Sequence, residues 1–421
     1  MQLKNLQCVR CGKTYPPLPQ ATTCSQCAED INRPGILDLV YEDSPNPAAL
    51  KGRILQPDRS KGLWAYEDFL PVESDRPRLT LGEGHTPLIH ASALGAFLDM
   101  DSLWLKNETM NPTGSFKDRI AAMIVAKALE AGAKTMILVS SGNMANSVAA
   151  YGALAGMKTI AIVSQKVSRE RLIQIAVYGG QVIRVSGTSS DRLSLCFRAA
   201  ERFGWFNANS PHNPYGPHGA KTISYEVFTQ AGGKNFDWII SPVGFGCNFV
   251  GNWKGFEDLL RLGLISQLPR LVAVQAEGSP SLVRAFEKGL AEGVPGPQDT
   301  IAGGISQVVT PNSVLALKAI RASKGTAITV TDEEMMSSIP LLARKAGIYA
   351  EPAGVAALAG LKTMVKEKKM EENDRVLVII SGSGWKDPTS FIPLKDSHFP
   401  QINPSLSELE EALLGKKEKE R

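Results

Sequence analysis

The feature that most constrains the fold is the alternation of short apolar runs with helical patterns along most of the chain. Two segments that lie between these runs, 118–131 and 146–154, each have apolar residues along one helical stripe and end just before a glycine. The runs themselves predict strands buried on both faces, at 103–105, 135–140, 159–164 and 181–185. This alternation predicts an α/β fold with a doubly wound parallel sheet.

A second α/β unit is predicted after a stretch rich in Pro, His and Asn at 207–218. Thr331 and Glu334 have the spacing of a capping box, so a helix is expected to begin there. Its inward-facing residues are expected to be Met335, Ile339 and Leu342, and the strands of the unit are expected at 238–241, 271–275 and 375–380.

The 421 residues are enough for two or three folded units. We predict an N-terminal module at 1–45, a connecting segment at 46–75, a body of two interleaved α/β domains at 76–395 and a C-terminal tail at 396–421. The aromatic residues Trp64, Tyr66 and Phe69 are expected to pack the connecting segment onto the body. The charged end at 415–421 is expected to be a frayed helix end without a function.

Charge and hydropathy argue against several classes of function. The 46 basic and 42 acidic residues leave a formal net charge of +4 that is spread along the chain, which is too small and diffuse for a nucleic-acid groove. The sequence has no signal-peptide pattern and no apolar run long enough to cross a bilayer. We therefore expect a cytoplasmic protein that acts on small molecules, without a nucleic-acid or membrane partner.

Four of the six cysteines form two C-x2-C pairs, Cys8 with Cys11 and Cys24 with Cys27. Two such pairs can supply the four thiolates of a closed structural Zn²⁺ site, which predicts a zinc-ribbon-like module. A ribbon without metal, a redox pair and a nucleic-acid contact are the alternatives, although few basic residues surround the cysteines. Four sulfur ligands leave no open position for a substrate, so such a site would be structural.

Ligands of open parallel sheets bind beyond the carboxyl ends of the strands, and several segments with reactive residues lie there. A turn at 111–117 delivers Lys117 to the start of an apolar helix, where partial burial and the helix dipole would lower the pKa of its amine and suit Schiff-base chemistry. A glycine turn at 242–248 leads into a helix and fits a phosphate. Taken singly, each segment also fits an ordinary surface lysine, cap or turn.

Six segments in this order resemble the threonine synthase family, whose members are pyridoxal-phosphate enzymes of fold type II. They are L-G-E-G-H-T-P-L at 81–88, N-P-T-G-S-F-K at 111–117, S-S-G-N at 140–143, P-V-G-F-G-C-N at 242–248, E-P-A at 351–353 and S-G-S-G-W-K-D-P at 381–388. The resemblance extends over about residues 60–390, and several independent motifs in one order make an accidental match very improbable.

The resemblance implies a role for individual residues. Lys117 holds pyridoxal 5'-phosphate covalently and then acts as the base, Asn143 contacts the 3-oxygen of the cofactor, and Ser381 faces its pyridine nitrogen. A hydroxyl group at that nitrogen, unlike a carboxylate, favours elimination or replacement over transamination. The resemblance also implies a homodimer. The residues implied to bind the cofactor phosphate are Gly244, Phe245, Gly246, Cys247 and Asn248.

Three residues depart from the family pattern around the phosphate of the family's substrate, O-phosphohomoserine. Met144, Gly216 and Phe245 stand where the family commonly has Thr, Arg and Asn. Each change removes a charge-assisted hydrogen bond worth about 1.5–3 kcal/mol. Ser383 and Trp385 also replace His and Leu. The remaining candidate anion ligands are Ser140, Ser141, Asn209 and Lys221.

Conversion of O-phosphohomoserine to threonine is therefore the first expectation for the reaction. The alternatives are a dehydratase or ammonia-lyase of hydroxy-amino acids and a β-replacement synthase that resembles cysteate or cysteine synthase. A non-enzymatic scaffold is a further alternative, and the presence of Lys117 argues against it.

Overall fold

The structure is a computed structural model and describes residues 3–27, 33–42, 46–73, 78–387 and 399–414. It divides into two compact units, Met1–Ser390 and Phe391–Arg421. The strands are β1 Leu3–Cys8, β2 Thr14–Tyr15, β3 Leu37–Tyr41, β4 Leu88–His90, β5 Ser102–Asn107, β6 Thr135–Val139, β7 Lys158–Ser164, β8 Gln181–Val185, β9 Phe206–Asn207, β10 Trp238–Pro242, β11 Arg270–Ala276, β12 Thr326–Val330 and β13 Arg375–Ile380.

The helices alternate with these strands, as the sequence predicts. They are α1 Pro47–Leu55, α2 Ser92–Phe97, α3 Lys117–Glu130, α4 Asn143–Leu154, α5 Arg169–Val177, α6 Ser189–Phe203, α7 Gly216–Ala220, α8 Thr222–Gln230, α9 Cys247–Arg261, α10 Ser281–Glu287, α11 Ser313–Ala322, α12 Asp332–Ala346, α13 Pro352–Lys366 and α14 Leu406–Leu414. Among the described residues, no helix combines the length and hydropathy that a membrane span needs.

Two sheets form the body of the larger unit. One has six strands in the order β12-β11-β10-β13-β5-β4, all parallel except the edge strand β4. The other has four parallel strands in the order β8-β7-β6-β9. The sequence predicts 103–105 as a strand of the same sheet as 135–140, 159–164 and 181–185. In the structure this strand, β5, pairs instead with β13 of the larger sheet. The smaller sheet is thus an insertion between β5 and β10.

Helices α3 and α12 show how the apolar pattern is used. In α12 the predicted capping box is present, and Met335, Ile339 and Leu342 are fully buried. In α3 burial extends around the helix, because residues 118–128 are all buried, including the charged Asp118 and Arg119. Because α3 is buried on every side, its first residue, Lys117, has a fixed position.

The connecting segment packs onto the body, as predicted. It forms α1 and a 3-10 segment at Arg59–Phe69, in which Trp64, Tyr66 and Phe69 are at most 2% exposed. Trp64 belongs to the apolar core that contains α3 and α4, while Tyr66 and Phe69 belong to the core that contains α8 and α9. The segment therefore contacts the cores on both sides.

The N-terminal module is a small antiparallel sheet in the order β2-β1-β3. It is held to the body by the Tyr215 hydroxyl, which donates to the carbonyl of Leu18 at 2.7 Å, and by an ion pair between Lys254 and Asp38 at 2.7 Å. The Tyr41 hydroxyl also lies 3.1 Å from Nδ1 of His218 in α7. The module thus contacts helices α7 and α9 of the body.

The C-terminal unit contributes α14 to the described residues. The charged end predicted to fray, 415–421, lies outside the described residues, as do 388–398.

Candidate active site

Lys117 is the first residue of α3 and lines a cavity at the carboxyl ends of strands from both sheets. Its Nζ lies 4.4 Å from the centroid of the Phe116 ring. Burial lowers the pKa of the amine, while the nearby Cys247 and Glu351 act in the opposite direction. A larger fraction of the amine is therefore neutral than at an exposed lysine, which suits a nucleophile or a base.

The turn before Lys117 is fixed by its neighbour Asp118. The Asp118 carboxylate, which is fully buried, accepts hydrogen bonds at 2.7 Å from both the backbone N–H and the hydroxyl of Thr113. The Thr113 hydroxyl also lies 3.0 Å from the hydroxyl of Ser147 in α4. These contacts tie the lysine turn to the helix that carries Asn143.

A buried network of four charged side chains lies behind Lys117. Arg119 pairs with Glu108 at 2.7 Å and with Glu226 at 2.5 Å, and Lys106 pairs with Glu226 at 2.7 Å. All four side chains are fully buried, and their two positive and two negative charges balance. The network links β5, α3 and α8, so it fixes the start of α3 against the larger sheet. Nothing in the sequence pattern singled it out.

Asn143 begins α4, and its side chain enters the cavity. Its amide nitrogen donates to Oε1 of Glu351 at 2.8 Å, which fixes the orientation of the amide. Glu351 is the N-cap of α13, and burial raises the pKa of its carboxyl to about 7 even though the neighbouring Lys386 acts in the opposite direction. The sequence marked Glu351 as part of a motif, but its contact with Asn143 is visible only in the structure.

The glycine turn after β10 forms a cradle for an anion. Gly246 has a left-handed backbone with φ of +86° and is the N-cap of α9, and no side chain caps the first turn of that helix. A Cβ at Gly244 would lie 2.6 Å from the carbonyl oxygen of Gly304, so only glycine fits there. All five residues of 244–248 line the cavity, and the N–H groups of a helix start favour a phosphate.

Ser381 follows β13 and also lines the cavity. Its carbonyl accepts a hydrogen bond from the backbone N–H of Phe116 at 3.1 Å, which places the end of β13 beside the lysine turn. The structure thus brings Lys117, Asn143, residues 244–248 and Ser381 around one cavity, as predicted. A buried amine, an amide, an anion cradle and a hydroxyl group fit pyridoxal phosphate.

The candidate substrate residues divide into two groups. Ser140 and Ser141 line the cavity. Asn209 does not, because its side chain accepts from the N–H of Val139 at 2.8 Å and donates to Asn207 at 2.8 Å. Lys221 does not either, because its ammonium is buried in an ion pair with Asp258 at 2.5 Å. Both polar groups are engaged by the body, so the structure does not bring these two residues to the cavity.

The three departures from the family pattern also divide. Met144 and Phe245 line the cavity, so their apolar side chains do change its wall. Gly216 lies at the start of α7 and is not among the lining residues. A Cβ at Gly216 would lie 3.0 Å from Ile120 and 3.2 Å from Ile124, so close packing of α7 on α3 favours glycine there. The expectation that Gly216 removes a substrate contact is therefore not supported.

Among the lining residues to which the sequence analysis gives no role, four connect two segments of the cavity wall. Lys386 and Asp387 belong to the segment after β13, a motif in which the resemblance to the family gives a role to Ser381 alone. Arg171 and Gln174 lie on α5 and carry no motif. Arg171 pairs with Asp387 at 2.7 Å, and Gln174 donates to the carbonyl of Lys386 at 2.8 Å. These contacts join α5 to the segment after β13.

The four N-terminal cysteines lie together, with all four sulfur atoms within 4.8 Å of one another. The Tyr15 hydroxyl donates to Sγ of Cys24 at 3.0 Å, which is the kind of outer contact that orients a metal ligand. A Cβ at Gly35 would lie 2.6 Å from Cβ of Cys27, so the approach of the chain to the cluster requires glycine.

Comparison with known proteins agrees with this geometry. Residues 79–382 match the family described as pyridoxal-phosphate dependent enzyme. The chain is 36% identical to the threonine synthase of Methanocaldococcus jannaschii over 92% of this chain and 94% of that one. It is 34% identical to that of Methanosarcina acetivorans over 98% of this chain and 99% of that one.

Solved structures show the same fold at lower sequence identity. Processed threonine deaminase isoform 2 from Solanum lycopersicum matches with a TM-score of 0.64 and 19% identity, over 88% of this chain and 93% of that one. Maize serine racemase matches with a TM-score of 0.62 and 21% identity, over 80% of this chain and 93% of that one.

Proposed function

Because the chain belongs to the threonine synthase family of pyridoxal-phosphate-dependent enzymes, we propose that it converts O-phosphohomoserine and water to threonine and phosphate. It is a pyridoxal-phosphate-dependent lyase of the threonine synthase type. The observation that carries the specific reaction is the similarity to threonine synthases over almost the whole chain, N-terminal module included. The reaction would serve amino-acid biosynthesis.

The cavity supplies the groups that this chemistry needs. When bound, pyridoxal phosphate withdraws electrons from the α-carbon of an amino acid. The Lys117 amine would hold the cofactor and then move protons, and its burial supports the neutral form that a base requires. Asn143, oriented by Glu351, would contact the 3-oxygen, and the neutral Ser381 hydroxyl would face the ring nitrogen.

The test is to mix the cofactor-loaded protein with O-phosphohomoserine and to measure phosphate and threonine. We expect both products in equal amounts, and we expect none from Lys117→Ala. Lys158→Met, which changes an exposed lysine at the start of β7, should retain the activity of the wild type. Absence of both products from a cofactor-loaded wild-type protein would overturn the proposed reaction.

A second candidate function rests on Met144 and Phe245, which give the cavity wall apolar surface where the family pattern has hydrogen-bond donors. A β-replacement synthase or a dehydratase would act on an amino acid with a different leaving group. Assays of O-acetylserine with a thiol or sulfite, and of serine and threonine for ammonia and 2-oxo acid release, distinguish these activities from threonine formation. Release of ammonia and 2-oxo acid without any threonine synthesis would favour the dehydratase.

We also propose that Cys8, Cys11, Cys24 and Cys27 hold a structural Zn²⁺ ion, a proposal supported by the grouping of their sulfur atoms. Replacing Cys8 and Cys11 together with Ser should abolish bound zinc in elemental analysis and lower the melting temperature, with the cofactor still bound. Cys196→Ser, which changes a buried cysteine outside the cluster, is the control. A full zinc content in the double variant would contradict the proposal.

The homodimer and the cytoplasmic location stay predictions. Light scattering of the purified protein tests the first, and cell fractionation tests the second.

A further inference from the structure

Lys386 has a buried ammonium group on the wall of the active-site cavity. Its Nζ has no hydrogen-bond partner among the residues that the structure describes. The stem of the side chain passes close to Gly114, since a Cβ added there would lie 2.9 Å from its Cδ. Its backbone is held as well, because the carbonyl accepts from Gln174 at 2.8 Å. The ammonium is therefore buried without a hydrogen-bond partner among the described residues.

Two carboxyl groups attract this ammonium electrostatically, those of Glu351 and Asp118. Neither forms an ion pair with it within the described part of the chain, and each is engaged elsewhere. Asp118 accepts both hydrogen bonds from Thr113, and Glu351 accepts the amide of Asn143. Burial lowers the pKa of the Lys386 ammonium, as expected for a cation that lacks a close counter-charge.

A second cation lines the same cavity. Nη2 of Arg171 pairs with Asp387 at 2.7 Å. Nη1 of Arg171 lies near Gly303, because a Cβ atom added to that glycine would be 3.3 Å from it. The ion pair with Asp387 therefore holds Arg171 on the same cavity wall as Lys386. A buried, unpaired cation is costly unless an anion compensates it, and Lys386 is one of the residues that line the cavity.

We propose that Lys386, with Arg171 on the same cavity wall, binds an anionic group of the amino-acid substrate. The inference rests on the proposed function and adds a substrate-binding residue to the site. The anionic group is the phosphate that is released in the reaction, for which the side chains of Met144 and Phe245 provide no hydrogen-bond donor. The α-carboxylate is the other anion of the same substrate, and the experiment separates the two.

The experiment measures binding to the cofactor-loaded wild type and to Lys386→Met, by titration calorimetry and by the change in cofactor absorbance. Three ligands are compared: O-phosphohomoserine, L-homoserine, which lacks the phosphate, and 3-aminopropyl phosphate, which lacks the carboxylate. We expect Lys386→Met to bind O-phosphohomoserine and 3-aminopropyl phosphate at least about tenfold more weakly than the wild type, as loss of a charge-assisted hydrogen bond predicts. L-homoserine should bind equally to both proteins.

Weaker binding of L-homoserine with unchanged binding of 3-aminopropyl phosphate would assign Lys386 to the carboxylate and overturn the assignment to phosphate. Equal affinities of both proteins for all three ligands would overturn the inference altogether. Lys386→Arg keeps the charge and should recover part of the affinity, and Lys158→Met controls for the loss of a surface lysine. If Lys386→Met does not retain the cofactor, Lys386→Gln replaces it in the same titrations.

Failure of the proposed function gives a different result. In that case the wild type, although loaded with cofactor, releases no phosphate and binds the two phosphorylated ligands no better than L-homoserine. If the wild type makes threonine while Lys386→Met binds all three ligands normally, the inference fails and the proposed function stands.

Discussion

Replacing Glu351 with Gln isolates the effect of one buried carboxyl group on the stability of the protein. Burial raises the pKa of this carboxyl from 4.5 to about 7, although Lys386 and Asn143 act in the opposite direction. A carboxyl whose pKa is higher in the folded chain than in the unfolded chain binds more protons when folded. It therefore lowers the unfolding free energy as the pH rises from about 4 to about 8.

The two pKa values give the magnitude. Each tenfold difference in proton affinity corresponds to about 1.4 kcal/mol, so ionisation of Glu351 costs about 3 kcal/mol across that pH range. Gln cannot ionise, but its side-chain oxygen can still accept the hydrogen bond from Asn143. We therefore expect the stability of Glu351→Gln relative to the wild type to increase by about 3 kcal/mol between pH 4 and pH 8.

Urea unfolding of the cofactor-free proteins at four or five pH values measures this difference, once refolding has been shown to be reversible. Glu371→Gln, at an exposed glutamate, controls for removal of a carboxyl group from the surface. A stability difference between Glu351→Gln and the wild type that stays constant from pH 4 to pH 8 would refute the reasoning. It would mean that Glu351 binds its proton equally well in the folded and unfolded chains.

Two further predictions concern the ring nitrogen and the buried charge network. Ser381→Asp should raise the proton affinity of the cofactor nitrogen and so increase the 2-oxo acid formed per threonine, and an unchanged product ratio would show that residue 381 does not face the nitrogen. Arg119→Met leaves the buried Glu108 without its ion-pair partner and Glu226 paired with Lys106 alone, and it should lower the unfolding free energy by about 3–5 kcal/mol in urea unfolding. The exposed Arg198→Met should change it by less than about 0.5 kcal/mol, and equal effects of the two variants would contradict the role of the network.

The strands and helices could largely be predicted, because each depends on a local pattern. The capping box at Thr331 and the stripe of α12 are determined by neighbouring residues, and both predictions are confirmed. The position of β5 within the larger sheet could not be predicted, because its partner β13 lies at the far end of the body. Apolar strands buried on both faces look alike in sequence, and nothing in β5 marks its neighbour.

The candidate site shows the same limit. Lys117, Asn143 and Ser381 could be predicted because their motifs follow strands, where the fold class places ligands, and because the resemblance to the family gives each of them a role. Residue type alone makes Asn209 and Lys221 candidate ligands, but it does not show that both polar groups are engaged by the body away from the cavity. Arg171 was missed because it reaches the cavity from α5, a helix without a motif.

The pairing of β5 with β13 has a consequence for synthesis of the protein on the ribosome. β5 and β4 are made early, but the strand that pairs with the other side of β5 ends at Ile380. Until then, the backbone N–H and C=O groups on that edge of β5 have no partner strand, while the inserted sheet from β6 to β9 already has all of its strands. We expect the smaller sheet to fold first on the nascent chain and the larger sheet to close last, which makes β5 the segment that chaperones must protect.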